Sequence, residues 1–274
     1  MAASLSITVV TYRPDAALFA RSLAALAGAV EHARAAGCLG TAKLFVVDNG
    51  PEAGRAAVRA GVAAWPSGAA AAELVAGHGN IGYGRANNRV LERLESDYHL
   101  VMNPDVEPDA RSIAAAIEVL AARPEVGLVA PDARGEDGAP SYLCKRYPSV
   151  WVLFLRGFAP RRLRERHARE LAAYEMRDVV AGGTIAPVPL ASGCFMLMRT
   201  ALFRRVGGFD PAYFLYFEDY DLSLRLRREA GIAYVPEARI VHHGGEAARK
   251  GPRHVAWFLR SAWRFFSTHG WKIA

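Results

Sequence analysis

The 274-residue sequence has few cysteines, no long apolar run and no acidic residue after Glu246. Cys38, Cys144 and Cys194 are odd in number and widely spaced, which argues against a disulfide framework or a zinc site and indicates a reducing compartment. No segment approaches the roughly eighteen apolar residues of a transmembrane helix. The apolar segment near the start lacks the basic residues that precede a signal sequence. We therefore expect a cytoplasmic protein without a signal peptide.

Positive charge is concentrated in two stretches. The chain has 34 basic and 27 acidic residues, a formal net charge of +7, and the basic residues cluster at 161–169 and 249–272. Such clusters suit anionic lipid, phosphate or nucleic acid, although solvated surface is the alternative. No nucleic-acid recognition motif accompanies them, so nucleic acid is not an expected partner.

Short β-branched segments alternate with Ala- and Leu-rich segments through the first half of the chain. The predicted strands lie at 5–11, 43–48, 74–76, 99–103 and 126–130, and the predicted helices at 15–36, 52–64, from 84 onwards, and 109–122. This alternation predicts an α/β fold whose mostly parallel central sheet is flanked by helices. The pattern is lost between 131 and 186. It returns with strands at 189–199, 232–235 and 239–241 and helices at 201–206 and 219–229.

No linker divides the chain, so we predict one domain over residues 1–246 followed by a basic tail, 247–274. Apolar residues recur at helical spacing in the tail: Val255, Phe258, Leu259, Ala262, Trp263 and Phe266. This C-terminal basic amphipathic helix could lie on an anionic membrane. Alternatively, it could dock on the catalytic domain or on a second subunit of a homo-oligomer.

The triplet Asn103-Pro104-Asp105 places a carboxylate directly after a buried strand. Ligands of open parallel sheets bind at the carboxyl ends of the strands, and oxygen ligands suit Mg²⁺ or Mn²⁺. Asp105 is therefore the preferred metal ligand, although Asn and Asp also serve turns. His242 or His243, after another strand, could add an imidazole and favour Mn²⁺. We favour His242.

Asp48-Asn49 also follows a strand, where the carboxylate could accept hydrogen bonds from a nucleobase or a ribose, or could simply form a turn. The loop Gly77–Gly82 matches the dinucleotide pattern G-x-G-x-x-G. It follows the third strand instead of the first, so dinucleotide binding is not expected. The loop could instead bring backbone close to a ligand, with Asn80 and Asn87 offering amides, or could be only a tight turn.

Glu218-Asp219-Tyr-Asp221 opens a helix, where acidic residues often serve only to satisfy the free N–H groups and the dipole. An aromatic run, 213–217, precedes it and would form an apolar wall around a carboxylate. A carboxylate in such surroundings can act as a general base on a hydroxyl group. Of the three acids, Asp219 is our choice.

These segments together resemble family 2 glycosyltransferases, and more closely their bacterial rhamnosyltransferase-like branch. The resemblance runs in order from about residue 5 to 245 through Thr11-Tyr-Arg-Pro, Val-Val-Asp48-Asn49, Gly-Asn80-Ile-Gly-Tyr-Gly-Arg-Ala-Asn87-Asn88, Asn103-Pro-Asp105, Ser192-Gly193, Gly-Gly-Phe-Asp210, Phe-Glu218-Asp219-Tyr-Asp221 and His242-His-Gly-Gly. It implies a single GT-A (Rossmann-like) domain, a nucleotide-diphosphate sugar donor, a divalent metal and inversion at the anomeric carbon.

The resemblance also implies roles for individual residues. Asp105 and His242 would hold the metal, and Asp219 would be the catalytic base. The nucleotide-binding half, 1–131, would contact the donor through Thr11, Tyr12, Arg13, Asp48, Asn49, Asn80, Gly82, Asn87, Asn103 and Asp105. The acceptor and catalytic half, 132–246, would contact the acceptor through Ser192, Gly193, Asp210, Glu218 and Asp221.

The expected activity is transfer of a sugar, with rhamnose from dTDP-rhamnose favoured, to a surface-glycan or lipid-linked saccharide acceptor at the inner face of the cytoplasmic membrane. A sugar-phosphate nucleotidylyltransferase is the enzyme alternative, but the Gly-rich basic loop expected after its first strand is absent here. A non-catalytic nucleotide-sugar-binding protein is the other alternative, and the intact acidic residues argue against it.

Overall fold

The computed structural model describes residues 2–66, 68–244 and 251–274. The strands are β1 (Ala3–Thr11), β2 (Leu39–Asp48), β3 (Ala71–Val75), β4 (Tyr98–Met102), β5 (Val106–Pro108), β6 (Val126–Arg134), β7 (Cys144–Lys145), β8 (Ala186–Pro187), β9 (Leu190–Ala191), β10 (Phe195–Arg199) and β11 (Gly231–His242). The helices are α1 (Ala16–Ala35), α2 (Arg55–Ala63), α3 (Tyr83–Asn87), α4 (Ser112–Ala122), α5 (Val150–Gly157), α6 (Arg161–Arg166), α7 (Ala168–Tyr174), α8 (Arg177–Gly182), α9 (Thr200–Arg205), α10 (Glu218–Leu226) and α11 (Pro252–His269). Two 3₁₀ turns span Glu52–Gly54 and Asn88–Arg93.

The central sheet has the strand order β3-β2-β1-β4-β10-β6-β11-β5, with β8 paired to β11. β1 is parallel to β2 on one side and to β4 on the other, with Thr11 opposite Asp48 and Val9 opposite Met102. The chain therefore leaves β1 in one direction and returns on its other side, which makes the carboxyl ends of β1, β2 and β4 a topological switch point. The predicted ligand edge lies here.

The sheet is parallel in its first half and mixed beyond it. β10 lies between β4 and β6 and runs antiparallel to both. The predicted strand at 189–199 is in fact divided into β9 and β10 by residues 192–194. The division occurs where the backbone leaves the sheet to contact Asn103 and Asp219.

Helices cover both faces of the sheet. On one face, α1, α2 and α4 bury their apolar residues against the strands, and on the other α3, α9 and α10 do so. α1 begins where the Asp15 carboxylate accepts a hydrogen bond from the Leu18 N–H (2.8 Å), as a helix N-cap does. The helix predicted from residue 84 is α-helical only to Asn87, since the side chain of Asn88 binds the backbone of Phe209 instead of facing solvent.

The segment between 131 and 186, in which we predicted no regular element, contains the end of β6 and the short helices α5 to α8. These helices have six to eight residues each, and left-handed backbone at Met176 separates α7 from α8. Elements so short are interrupted by Pro and Gly and hardly reveal a helical period. Only α5 has a side-chain cap, since Ser149 Oγ accepts from the Val152 N–H (3.1 Å).

Helix α11 packs on the second half of the domain. Phe265 and Phe266 are buried there with Tyr213 and Phe217 of the aromatic run. The tail helix thus docks on the preceding domain, one of the three arrangements that its apolar stripe allowed. The predicted domain boundary at 246/247 lies outside the described residues.

Candidate active site

Asp48 is the last residue of β2 and forms a buried ion pair with Arg55. Its carboxylate accepts hydrogen bonds from the Thr11 hydroxyl (3.2 Å), the Gly50 N–H (2.9 Å) and Arg55 Nε (2.8 Å). The residue is only 1% exposed. Asp48 and Thr11 therefore fix the ends of β1 and β2 together. In the loop after β1, Tyr12 and Arg13 are exposed.

Asn49 joins the end of β2 to the Gly77–Gly82 loop. Its Nδ2 donates to the Gly82 carbonyl (3.1 Å), and its Oδ1 lies 3.1 Å from His78 Nε2. Burial lowers the pKa of His78, so the neutral imidazole can donate this bond. Within the loop, Asn80 Oδ1 accepts from the Gly82 N–H (3.2 Å). The predicted donor residues Asn49, Asn80 and Gly82 thus belong to one hydrogen-bonded loop.

Gly82 is required by close approach between the two halves of the domain. Its φ is 92°, and a Cβ at this position would lie 2.5 Å from the Phe214 carbonyl oxygen. The next N–H, of Tyr83, donates to that carbonyl over 3.0 Å. The loop therefore sits backbone to backbone on the aromatic run that precedes Asp219, an arrangement that only glycine permits.

Tyr83 connects this loop to Gly193. Its hydroxyl donates to the Gly193 carbonyl over 2.8 Å, and burial raises the pKa of Tyr83 well above its usual value, so the proton stays on the phenol. Asn87, one helical turn on, is fully buried and donates to the Tyr83 carbonyl (3.1 Å). Asn87 therefore supports Tyr83 from behind, and its Oδ1 has no hydrogen-bond partner among the described residues.

Asp219 is held at the start of α10 by two backbone N–H groups. Gly193 donates to Asp219 Oδ2 and Tyr220 to Oδ1, both over 2.9 Å. The two residues before the helix, Tyr216 and Phe217, have φ values of 71° and 65°. Left-handed backbone at two successive aromatic residues is strained, and such strain concentrates at functional sites. The turn aims the carboxylate at residues 192–194.

The acidic pair Glu218 and Asp219 shares a buried environment. Burial, followed by the charge of Asp219, raises the pKa of Glu218 to about 8. Burial also raises the pKa of Asp219, while the N–H groups of Gly193 and Tyr220 oppose the shift. Burial thus favours the neutral acid at Glu218, while the two N–H groups favour the carboxylate form of Asp219. A carboxylate with a raised pKa is a stronger base than an exposed one.

Asp105, in the loop between β4 and β5, and His242, at the end of β11, lie side by side. Asp105 Oδ1 is 3.7 Å from His242 Nε2, and this oxygen is buried without a hydrogen-bond partner among the described residues. The pairing of β5 with β11 places them, because His242 is opposite Val106 and the His243 N–H donates to the Asp105 carbonyl (3.0 Å). A Cβ at Gly244 would lie 2.5 Å from His242 Nε2, so the backbone closes tightly over the imidazole.

The pair fits a divalent ion. Two ligand atoms that are each about 2.1 Å from a metal lie about 3 to 4 Å apart, and Mg²⁺ typically uses one or two carboxylates plus phosphate and water. No group of three or more His, Cys, Asp or Glu suited to a metal occurs in the described part of the chain. His243 is a weaker candidate, since its ring nitrogens lie 2.9 Å from Glu107 and 2.5 Å from Glu136.

Residues 193 and 194 connect the segment that contains Asp105 with Asp219. The Cys194 carbonyl accepts from the Asn103 N–H (2.9 Å), two residues before Asp105, while Gly193 binds Asp219. Burial, then the charges of Asp105 and Asp219, raise the pKa of the Cys194 thiol. Both carboxylates therefore lie within electrostatic range of one buried sulfur atom. Asp105 and Asp219 are thus both linked to the 193–194 segment, and His242 lies beside Asp105.

Asp210 and Asp221, which the sequence assigned to the acceptor, both form ion pairs with the last helix. The Arg264 guanidinium lies 2.7 Å from Asp210 Oδ2, and His269 Nε2 lies 2.8 Å from Asp221 Oδ1. Arg225 occupies the other oxygen of Asp221 (2.8 Å). Both carboxylates bind helix α11, and their predicted contact with the acceptor stays a prediction. Acidic residues next to a catalytic motif had suggested a shared role, but these two attach the last helix to the domain.

The sequence did not single out three residues that shape the site. Tyr83 lies within a quoted motif and could have been noticed from its position between Gly82 and Gly84. Arg55 and Tyr174 carried no signal. The hydroxyl of Tyr174 lies 2.9 Å from that of Tyr220, beside Asp219, and burial raises the pKa of Tyr174 to about 12. This pair forms a neutral hydrogen-bonded contact next to Asp219.

Comparisons with known proteins agree with this geometry. The family model described as "Glycosyltransferase like family 2" matches residues 3–265. An N-acetylglucosaminyl-diphospho-decaprenol L-rhamnosyltransferase of Mycobacterium tuberculosis is 30% identical, over 97% of this chain and 86% of its own length. Rhamnosyltransferase WbbL of Escherichia coli is 40% identical over 83 residues, 29% of this chain and 31% of its own.

Two solved structures share the fold. A mannosyltransferase of Pyrobaculum calidifontis, in complex with GDP-Man and Mn²⁺, has a TM-score of 0.58 and 17% identity, covering 96% of this chain and 65% of its own. GalNAc-T7, with UDP, GalNAc and Mn²⁺, has a TM-score of 0.64 and 12% identity, covering 97% of this chain and 48% of its own. This chain spans about two thirds and about half of these two proteins, and the likeness confirms the GT-A fold. The chain belongs to the glycosyltransferase like family 2, is a glycosyltransferase, and falls in the rhamnosyltransferase-like branch of that family.

Proposed function

We propose that the protein transfers rhamnose from dTDP-rhamnose to a hydroxyl group of a lipid-linked saccharide, with inversion at the anomeric carbon. The observation that carries the proposal is the position of the Asp219 carboxylate. Gly193 holds this carboxylate, and the next residue along the chain, Cys194, contacts the Asn103–Asp105 segment. The names of the curated relatives support rhamnose as the sugar and a polyprenyl-diphosphate-linked acceptor.

In this mechanism Asp219 takes the proton from the acceptor hydroxyl group. The acceptor oxygen then forms a bond to the anomeric carbon from the face opposite the nucleotide. The bond between that carbon and the diphosphate oxygen breaks, and the diphosphate leaves with the electron pair. Because attack and departure occur on opposite faces, the configuration inverts. General-base assistance of this kind contributes typically about 10²–10⁴-fold to the rate.

Glu218 sets the charge around the base. As a neutral acid, it leaves one negative charge on the pair, and its Oε2 is buried without a hydrogen-bond partner among the described residues. A protonated carboxyl group can donate to a sugar hydroxyl, so Glu218 remains in the proposed acceptor site with Ser192 and Gly193. Tyr83 keeps Gly193 in place through its carbonyl.

Asp105 and His242 are the residues that would hold Mg²⁺ or Mn²⁺. A bound ion there would neutralise negative charge on the departing diphosphate. Asp105 contributes the oxygen that lacks a hydrogen-bond partner among the described residues, and His242 is fixed beside it by the β5–β11 register. In the proposed donor site, the exposed loop residues Tyr12 and Arg13 and the amides of Asn49, Asn80 and Asn103 face the nucleotide.

The experiment is turnover and binding with a panel of dTDP-, UDP- and GDP-sugars, with and without Mn²⁺. We expect dTDP-rhamnose to raise the melting temperature most, because a ligand of the native state stabilises it. Asp219→Asn should abolish sugar transfer and donor hydrolysis while keeping the donor-induced shift. Asp105→Asn should weaken both. Asp178→Asn, which changes an exposed carboxylate paired with Arg146, is the matched control and should leave both intact.

The outcomes separate the alternatives. Donor binding without turnover in the wild type would indicate a non-catalytic binding protein. Release of pyrophosphate from a nucleoside triphosphate and a sugar phosphate would indicate a nucleotidylyltransferase. Transfer that survives Asp219→Asn unchanged would remove Asp219 from the role of base.

A further inference from the structure

Large apolar side chains are left exposed almost entirely in two stretches of this chain. In the described residues, with the exception of Tyr12, they all lie within 150–158 and 259–273. Trp263 and Ile273 are each 67% exposed and Leu259 is 57% exposed. Monomeric proteins rarely expose contiguous apolar patches, so a cluster of this kind marks an interaction surface.

The two stretches form one surface, which we call the α5–α11 face. The backbone joins them, since the Val150 N–H donates to the Lys272 carbonyl (2.8 Å) and the Trp151 N–H to the Ile273 carbonyl (3.0 Å). The rings of Trp263 and Trp271 are 5.0 Å apart. Residues from α5, from α11 and from the segment after it are therefore neighbours on one side of the molecule.

The other side of α11 is firmly attached to the domain. Ser261 Oγ donates to the Leu215 carbonyl (2.8 Å), and Phe265 is fully buried against Phe217. Arg264 and His269 add the bonds to Asp210 and Asp221. The helix thus has two apolar sides: phenylalanines that face the protein and a Leu–Trp side that faces outwards. The sequence had suggested that Trp and Phe would share one side.

Charge around the face is mainly positive, although the exposed Glu165 pairs with Arg161, and Glu170 pairs with His167 beside Trp151. Residues 144–164 and 251–274 contain no aspartate or glutamate. Arg161, Arg162 and Arg164 of α6 and Arg260 of α11 are exposed. Tryptophan at the edge of an apolar patch with arginine around it is the composition of a surface that lies in the headgroup region of a membrane. Anionic lipid attracts each basic residue near the surface.

A second copy of this chain fits the face less well. A twofold interface would place the same patch on both sides, and the arginines of one copy would then meet those of the other. Like charges that face each other across an interface oppose association. An anionic bilayer supplies negative charge for the arginines and an apolar interior for the exposed apolar side chains. No helix in residues 2–66, 68–244 and 251–274 is long and apolar enough to cross a bilayer.

We propose that the α5–α11 face docks the enzyme on the surface of an anionic bilayer, with Trp263, Trp271 and Ile273 in the headgroup region and the basic residues on the lipid phosphates. The link to catalysis rests on the proposed function, since a lipid-linked acceptor would be presented at that surface. Within the protein the link is short. α11 holds Asp221, which lies two residues after Asp219 on α10.

The test is flotation of the purified full chain with vesicles of phosphatidylglycerol and phosphatidylethanolamine, compared with vesicles of phosphatidylcholine alone. We expect wild type to float with the anionic vesicles only. The double variant Trp263→Ser/Ile273→Ser should lower partitioning at least about tenfold through lost apolar contact. Arg260→Glu changes the charge by two units and should lower partitioning about 25-fold, since each unit is worth about fivefold. Arg123→Glu, an exposed change after α4, is the matched control and should float like wild type.

Melting temperature and the donor-induced shift, measured on every variant, show that the fold and the donor site are intact. Wild type that stays unbound, or a double variant that floats like wild type, would overturn the proposal. A dimer in solution that the double variant dissociates, without vesicle binding, would assign the face to a second copy instead. Wild type that binds the vesicles but does not turn over the donor would count against the proposed function alone.

Discussion

The backbone N–H of Gly193 donates a hydrogen bond to the Asp219 carboxylate over 2.9 Å. A Cβ at position 193 would lie 3.2 Å from the Asp219 Cβ and 3.6 Å from both Asp219 Oδ2 and Tyr83 Cε1. We predict that Gly193→Ala displaces the base and lowers kcat about 10- to 100-fold, since small misplacements of reacting groups are costly. The KM for the donor should change little. Steady-state kinetics would check this.

The control for that variant is Gly28→Ala on α1, where an added Cβ would meet nothing within 4 Å. It should leave kcat unchanged. An unaltered kcat in Gly193→Ala would mean that the carboxylate position does not depend on this contact.

Glu218 should make stability depend on pH. In the unfolded chain its pKa is near 4.5, and in the folded protein burial raises the pKa to about 8. Between these values the folded state binds more protons, so the contribution of Glu218 to stability falls as the pH rises from about 4.5 to 8. Glu218→Gln removes this loss. We expect the melting temperature of the variant to gain on wild type steadily between pH 5 and 8.

Thermal melts at half-unit pH steps would measure the difference. Asp178→Asn should show no such trend, because that carboxylate is largely exposed. A constant difference between Glu218→Gln and wild type across the range would show that Glu218 is ionised in the folded protein.

Arg55 is expected to matter for stability more than any surface arginine. It is 8% exposed at its side chain and faces Asp48, which is 2% exposed. Arg55→Leu would leave a buried carboxylate without its counterion, and breaking such a pair costs about 3–5 kcal/mol. Urea unfolding would measure this. Arg59→Leu, which removes an exposed pair with Glu52, should cost at most about 1 kcal/mol.

The double variant Asp48→Asn/Arg55→Leu offers a further check. Because the uncharged amide needs no counterion, it should recover part of the stability lost in Arg55→Leu. Equal losses for Arg55→Leu and Arg59→Leu would contradict the assignment of a buried ion pair.

His242 and His243 should differ in their effect on metal binding. His242→Ala removes the imidazole beside Asp105 and should weaken the Mn²⁺ dependence of the dTDP-induced melting shift at least about tenfold. His243→Ala should leave that dependence close to wild type, since its ring faces Glu107 and Glu136. Titration of Mn²⁺ at fixed dTDP would compare the two. Equal effects would mean that the choice between these histidines was wrong.

The sequence predicts the first half of this fold well and the second half only in outline. β1, β2, β4 and the helices between them have strong periodic patterns, so their order and the ligand edge at Asp48 and Asp105 follow from local rules. The place of β10 could not be predicted, because an antiparallel strand inserted between β4 and β6 is a choice of tertiary pairing. The short helices α5 to α8 have too few residues to show a period.

The sequence proposes a set of site residues but not the hydrogen bonds that connect them. Strand ends and acidic motifs identify Asp105, Asp219 and His242, because chemistry restricts the residue types at those positions. Asp210 and Asp221 have the same chemistry yet bind α11. Only the packing of a helix some fifty residues later distinguishes them. Tyr174, beside the base, comes from a segment without a pattern.

The antiparallel direction of β10 has a consequence for how the family can diversify. β6 ends, and β10 begins, at the same edge of the sheet, with Leu197 opposite Val129. Residues 135–194 therefore form one connection that leaves the central sheet and returns to it at the same edge. Insertions or replacements inside this connection need not alter the register of any strand in the central sheet except the short β8. Under the proposed function, acceptor recognition can thus change in evolution or by engineering, while Gly193 still arrives beside Asp219.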